Sequence, residues 1–167
     1  MNYKNKNFLI VGLISIIIVM VVGYAAFATQ LQINGTATIT SSWDVHIESI
    51  TPGTPVGTAT STEAEVGLDK LSATFHTNLV APGDSLTYTV VVKNDGTIDA
   101  KLNNLVFTPG DNMAINYSYS GIAVGNVVDA GDTLNFTVTV TYNSAVTEQP
   151  LNTTNTLSMV LTFIQNN

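Results

Sequence analysis

Leu86, Tyr88, Val90 and Val92 alternate with Thr87, Thr89, Val91 and Lys93 near the middle of the chain. Successive side chains of a strand point to opposite faces, so this run predicts a strand with one apolar face and one mostly wet face. Pro82-Gly83-Asp84 ahead of it reads as a turn, because proline presets φ and glycine accepts positive φ. Asn94-Asp95-Gly96 behind it tolerates left-handed backbone, and a second alternating run follows through Leu102. The pattern returns 48 residues later, where Gly131-Asp132 precedes Leu134, Phe136, Val138 and Val140. The segments between do not match, so these are two similar core strands rather than a duplicated unit. Both read as central strands.

From Leu31 the chain also runs with period two. Leu31, Ile33, Ala37, Ile39, Trp43, Val45 and Ile47 share the odd row, which Gly35 and Ser41 interrupt. This predicts a long first strand, or two in line, with Gln32, Thr36, Thr38, Thr40, Asp44, His46 and Glu48 on an exposed even face. Residues 51–62 are rich in Pro, Gly and Thr without periodicity and read as a surface loop. Further strands are expected at 71–79, 100–107, 113–119, 133–142 and 155–164. The expected fold is all-β: a single antiparallel β-sandwich of about seven to eight strands over residues 29–167, with Trp43, Phe75, Tyr88, Phe107 and Phe136 as core aromatics.

The amino terminus breaks this period. Lys4 and Lys6 precede a continuous apolar stretch from Phe8 to Val22, and small residues follow at Ala25, Ala26 and Ala28. That is the layout of an export signal over residues 1–28, with cleavage expected after Ala26 or Ala28. Counted on to Phe27, the run reaches about 20 residues, so an uncleaved membrane anchor is the alternative. The expected location is extracellular or at the cell surface, with the membrane met during export or through the retained helix.

Charge and cysteine content narrow the partners. Beyond the first apolar run, three lysines face twelve carboxylates, a balance of 3 − 12 = −9. Such a surface repels nucleic acid and anionic lipid. Without cysteine, neither disulfides nor thiolate metal sites hold the domain, so burial and backbone pairing must.

Catalytic patterns are absent from the sequence. His46 and His76 are the only histidines; there is no His-Glu-x-x-His pair and no Gly-x-Ser-x-Gly elbow. Asp84, Asp95, Asp99, Asp111, Asp129 and Asp132 sit at turns, in a spacing that is not that of a calcium loop. No catalytic residue, cofactor, metal site or small-molecule substrate is therefore expected. Asn34, Asn116, Asn135 and Asn152 each open an Asn-x-Ser/Thr sequon, which matters only in a host that glycosylates them.

Three separated segments carry a family resemblance. GYAAFATQ at the end of the apolar run, VAPGDSLTYTVVVKNDGTIDAKLNNL at the centre and NTLSMVLTFIQNN at the close together resemble the TasA and camelysin family of secreted matrix proteins. The resemblance implies a jelly-roll-like sandwich that is exported and then self-associates into a homo-polymer, each subunit giving its mature N-terminal segment to a neighbour as an added strand. Here the donor would be residues 29–39, with Leu31, Ile33, Ala37 and Ile39 as its pocket-filling side. One competing expectation is that the same residues form the first strand of their own domain; another is that the chain is a membrane-anchored, Ig-like surface binding or adhesion module that does not polymerise.

Overall fold

The structure is a computed structural model that describes residues 3–26 and 32–166, with side chains described for 5–21 and 32–166. It comprises two compact units, residues 1–39 and 40–167. The first contains the helix α1 (Tyr3–Ala26). Among the described residues no helix is long and apolar enough to cross a membrane.

Among its described residues the second unit holds nine strands, all paired antiparallel: β1 (Val45–Pro52), β2 (Thr60–Val66), β3 (Ala73–Asn78), β4 (Ser85–Asn94), β5 (Ala100–Pro109), β6 (Ile115–Ser120), β7 (Val127–Val128), β8 (Thr133–Tyr142) and β9 (Leu157–Gln165). They form a four-stranded sheet in the order β1-β4-β8-β6, a pair β2-β3, and a three-stranded sheet β7-β5-β9. The all-β expectation holds. The expected central strands, β4 and β8, lie side by side in the largest sheet, with Tyr88 opposite Val138 and Val90 opposite Phe136.

Alternation becomes burial along these two strands. Leu86, Tyr88, Val90 and Val92 are buried, as are Phe136, Val138 and Val140. Each such side chain contributes roughly 1.5–3 kcal/mol relative to exposure. The turns that introduce the two strands are built alike, and each closes on the end of the other strand. The Gly83 N–H donates to the Tyr142 carbonyl at 2.9 Å, and the Gly131 N–H donates to the Asn94 carbonyl at 2.8 Å. Both glycines have positive φ, 95° and 87°, where a side chain would be strained. The similarity of the two sequence runs thus reflects reciprocal capping of paired strands.

Tyr88 is fully buried, yet its hydroxyl is satisfied. It lies 2.8 Å from Thr77 Oγ1, 3.1 Å from Ser61 Oγ and 3.1 Å from the His76 carbonyl oxygen. Its ring stands 4.5 Å from that of Phe75, centroid to centroid. The hydroxyl therefore ties β4 in one layer to β2 and β3 in the other. Tyr88→Phe is expected to cost about 1–2 kcal/mol in urea unfolding at unchanged m-value, because it strands partners in the interior.

Four expectations are corrected. No strand is assigned at residues 32–44, so the first strand begins at Val45, far later than the odd row suggests. Trp43 is 46% exposed and is not a core aromatic, and His46, expected on a wet face, is buried. Within residues 51–62, the last residues already belong to β2, and Ala59 is buried.

Candidate functional site

Strand β3 pairs only with β2, and β9 pairs only with β5, so each keeps one edge unpaired among the described residues. Both strands line one open groove of about 380 Å³. Ala73 and Phe75 of β3, and Leu157, Met159, Leu161 and Phe163 of β9, form its walls. Val45, Ile47, Val90, Val92 and Phe136 of the four-stranded sheet form its floor. The inward side chains of β9 are only half-buried, unlike those of β4. The groove has the composition of a core that lacks one strand of cover.

The candidate donor residues have complementary properties. Ile33 is 95% exposed and Ile39 is 90% exposed, and Ala37 between them is also exposed. Ala28 and Leu31 lie outside the described residues, and Ala26 is described only as the last residue of α1. Residues 32–40 thus offer an alternating row without a partner strand, while the domain offers two unpaired strand edges over an apolar floor. Unpaired edges of this kind accept an added strand, whose main chain supplies hydrogen bonds and whose alternate side chains fill pockets.

The domain side is anchored by two polar clusters at its turns. Asp84 is buried and takes up four donors: Oδ1 accepts from the Thr58 N–H at 2.9 Å, and Oδ2 accepts from Thr58 Oγ1 at 2.8 Å, the Val80 N–H at 2.8 Å and the Ala81 N–H at 2.9 Å. The N–H groups of Thr58 and Ala81 hold its carboxyl well below the usual carboxylate range. Asn94, also buried, donates to the carbonyls of Ile98 and Val128 and accepts from the Gly96 N–H. Sequence reasoning assigned both residues to turns and missed that each joins separate loops. The signal available was their polarity directly beside long apolar rows.

The third polar cluster surrounds His46. Its Nδ1 lies 2.9 Å from Asp44 Oδ1, and its Nε2 lies 3.2 Å from Glu48 Oε2 and 3.8 Å from Asp95 Oδ2. Lys93 Nζ sits 3.0 Å from Asp95 Oδ1 and holds that carboxyl below its ordinary range. Asp44, His46 and Asp95 offer ligand atoms within 4.8 Å of one another, a spacing compatible with one cation. Yet imidazole and ammonium groups already engage these carboxylates. Chelation is therefore expected to leave the melting temperature unchanged; a drop of more than a few degrees, reversed by a divalent cation, would establish a structural ion. His76 stands apart on β3, exposed, with Nδ1 2.6 Å from Glu63 Oε2.

No family model matches the chain, and no curated protein or solved structure matches it.

Proposed function

We propose that this chain is an exported structural subunit of an extracellular fibre or biofilm matrix. It assembles when residues 29–39 of one copy enter the groove of the next and add a strand. One observation carries the reading: an alternating, exposed row at residues 32–40 coexists with an apolar groove between β3 and β9, each with an unpaired edge. The three segments that resemble the TasA and camelysin family support it, as does the absence of a catalytic motif from the sequence. On this reading the sandwich has jelly-roll-like topology completed by the neighbour's strand, and the protein works without cofactor or catalysis.

The chain has no cysteine, so paired cysteines can be introduced cleanly. Ile33→Cys combined with Met159→Cys is expected to give, on mild oxidation, a ladder of covalent dimers, trimers and higher species on denaturing gels. Either single variant should remain monomeric under the same conditions, because its one thiol meets no thiol in the neighbour, which makes the ladder diagnostic of head-to-tail linkage. A product that remains monomeric but migrates faster would place the segment in its own groove and overturn the proposal.

A further inference from the structure

Asn34-Gly35 is the only Asn-Gly pair in the chain, and it lies in the exposed segment proposed to be donated. We infer that Asn34 is a site of spontaneous deamidation and that its conversion limits how long a free subunit stays competent to assemble. The second half of this inference rests on the donor-strand reading; the first does not.

The reaction needs a backbone nitrogen that can reach the preceding side-chain amide. The Gly35 nitrogen attacks Cγ of Asn34, a C–N bond forms, and ammonia leaves with the proton taken from the Gly35 N–H. Water then opens the five-membered imide at either carbonyl, leaving a carboxylate on an ordinary peptide link or on one running through the β-carbon. No oxidant or other co-reactant is required. Glycine leaves its nitrogen unshielded, and a Cβ added at position 35 would meet nothing within 4 Å. No strand pairing is assigned at residues 32–40, so the backbone is not locked in the extended form that keeps nitrogen and amide apart. Gln32 Nε2 also donates to Asn34 Oδ1 at 3.2 Å, the oxygen on which negative charge develops during attack.

Other sites in the chain lack this combination. Asn94 is buried with both its amide atoms engaged, and the nitrogen of Gly96, which could attack Asp95, already donates to Asn94 Oδ1 at 3.0 Å. Within an added strand the Gly35 N–H would be hydrogen-bonded and the backbone extended, so assembly protects Asn34. Conversion before assembly does harm in two ways. It adds negative charge to a chain already at −7, and the β-linked product inserts an extra backbone atom that breaks the hydrogen-bond register between Ile33 and Ile39.

The test is to incubate the mature protein in mildly alkaline buffer and map peptides by mass spectrometry over time. Asn34 is expected to gain about one dalton at least roughly tenfold faster than any other asparagine, and Gly35→Ala is expected to slow this by roughly tenfold. Asn34 converting no faster than the rest would overturn the site. Fibre yield then tests the consequence: aged wild-type subunits should lose it in step with conversion, whereas Asn34→Gln subunits of equal age keep it. Aged and fresh wild type assembling equally well would overturn the regulatory role. Should fresh subunits and the Asn34→Gln variant both fail to form fibres while Asn34 still converts, the donor-strand reading fails and the modification site stands.

Discussion

Removal of residues 29–39 is expected to leave a folded, monomeric domain that forms no fibres. The described part of that segment is exposed, and no residue of it belongs to the buried core, which is drawn mainly from β1, β4, β5 and β8. The melting temperature should therefore shift by no more than about 2 °C. Assembly should respond far more strongly. Each Ile placed in the groove contributes roughly 1.5–3 kcal/mol, and a carboxylate in its place adds a desolvation penalty on top. Ile33→Asp alone should weaken subunit association by at least about a hundredfold, read by sedimentation and by electron microscopy of the same samples. Free peptide of sequence 29–39 in excess should cap growing ends and shorten fibres. An unfolded truncation would assign the segment to its own sandwich, and fibres from the truncated protein would mean that another surface drives assembly.

The second large effect concerns Asp84, which joins the loop after β1, the turn after β3 and the start of β4. Replacing it with alanine leaves the N–H groups of Thr58, Val80 and Ala81 without their acceptor. The expected loss of melting temperature is on the order of 10 °C, well beyond a typical surface substitution. A pH dependence follows with a defined sign. The carboxyl is depressed in the folded state by the Thr58 and Ala81 N–H groups, so the unfolded chain binds this proton more readily. Its contribution is present above the unfolded value of about 4 and is lost as pH falls through the lower folded value. Asp84→Asn should thus be less stable than wild type near neutral pH, and the gap should narrow as pH is lowered below about 4. A gap that stays constant across that range would show that Asp84 acts through shape alone.

The strongest local patterns were legible from the residues alone, and particular elements show why. In β4 and β8 the inward positions other than Asn94 carry large apolar or aromatic side chains, and the turns that open both strands carry glycine at positive φ, so propensity, pattern and turn chemistry agree. Strand β2, Thr-Ser-Thr-Glu-Ala-Glu-Val, was obscured because a half-exposed strand buries too little to show an apolar row. The two-residue β7 carries almost no pattern of its own. His46 was misplaced because a register shift between Ile47 and Ser49 disturbs the simple alternation of β1, and because the carboxylates that enclose it include Asp95 from a distant turn.

Alternation is a property of neighbours along the chain, so the sequence by itself determined the all-β class, the two central strands and the apolar row that begins before Val45. Whether such a row is covered depends on pairing with residues far away in sequence, which no local pattern encodes. The tertiary structure decided that residues 32–44 carry no strand, that β3 and β9 each keep an unpaired edge, and that an apolar groove opens between them. It also decided that Asp84 and Asn94, which look like ordinary turn residues, are buried, because loops distant in sequence converge their backbone groups on these side chains and replace the water they would otherwise bind.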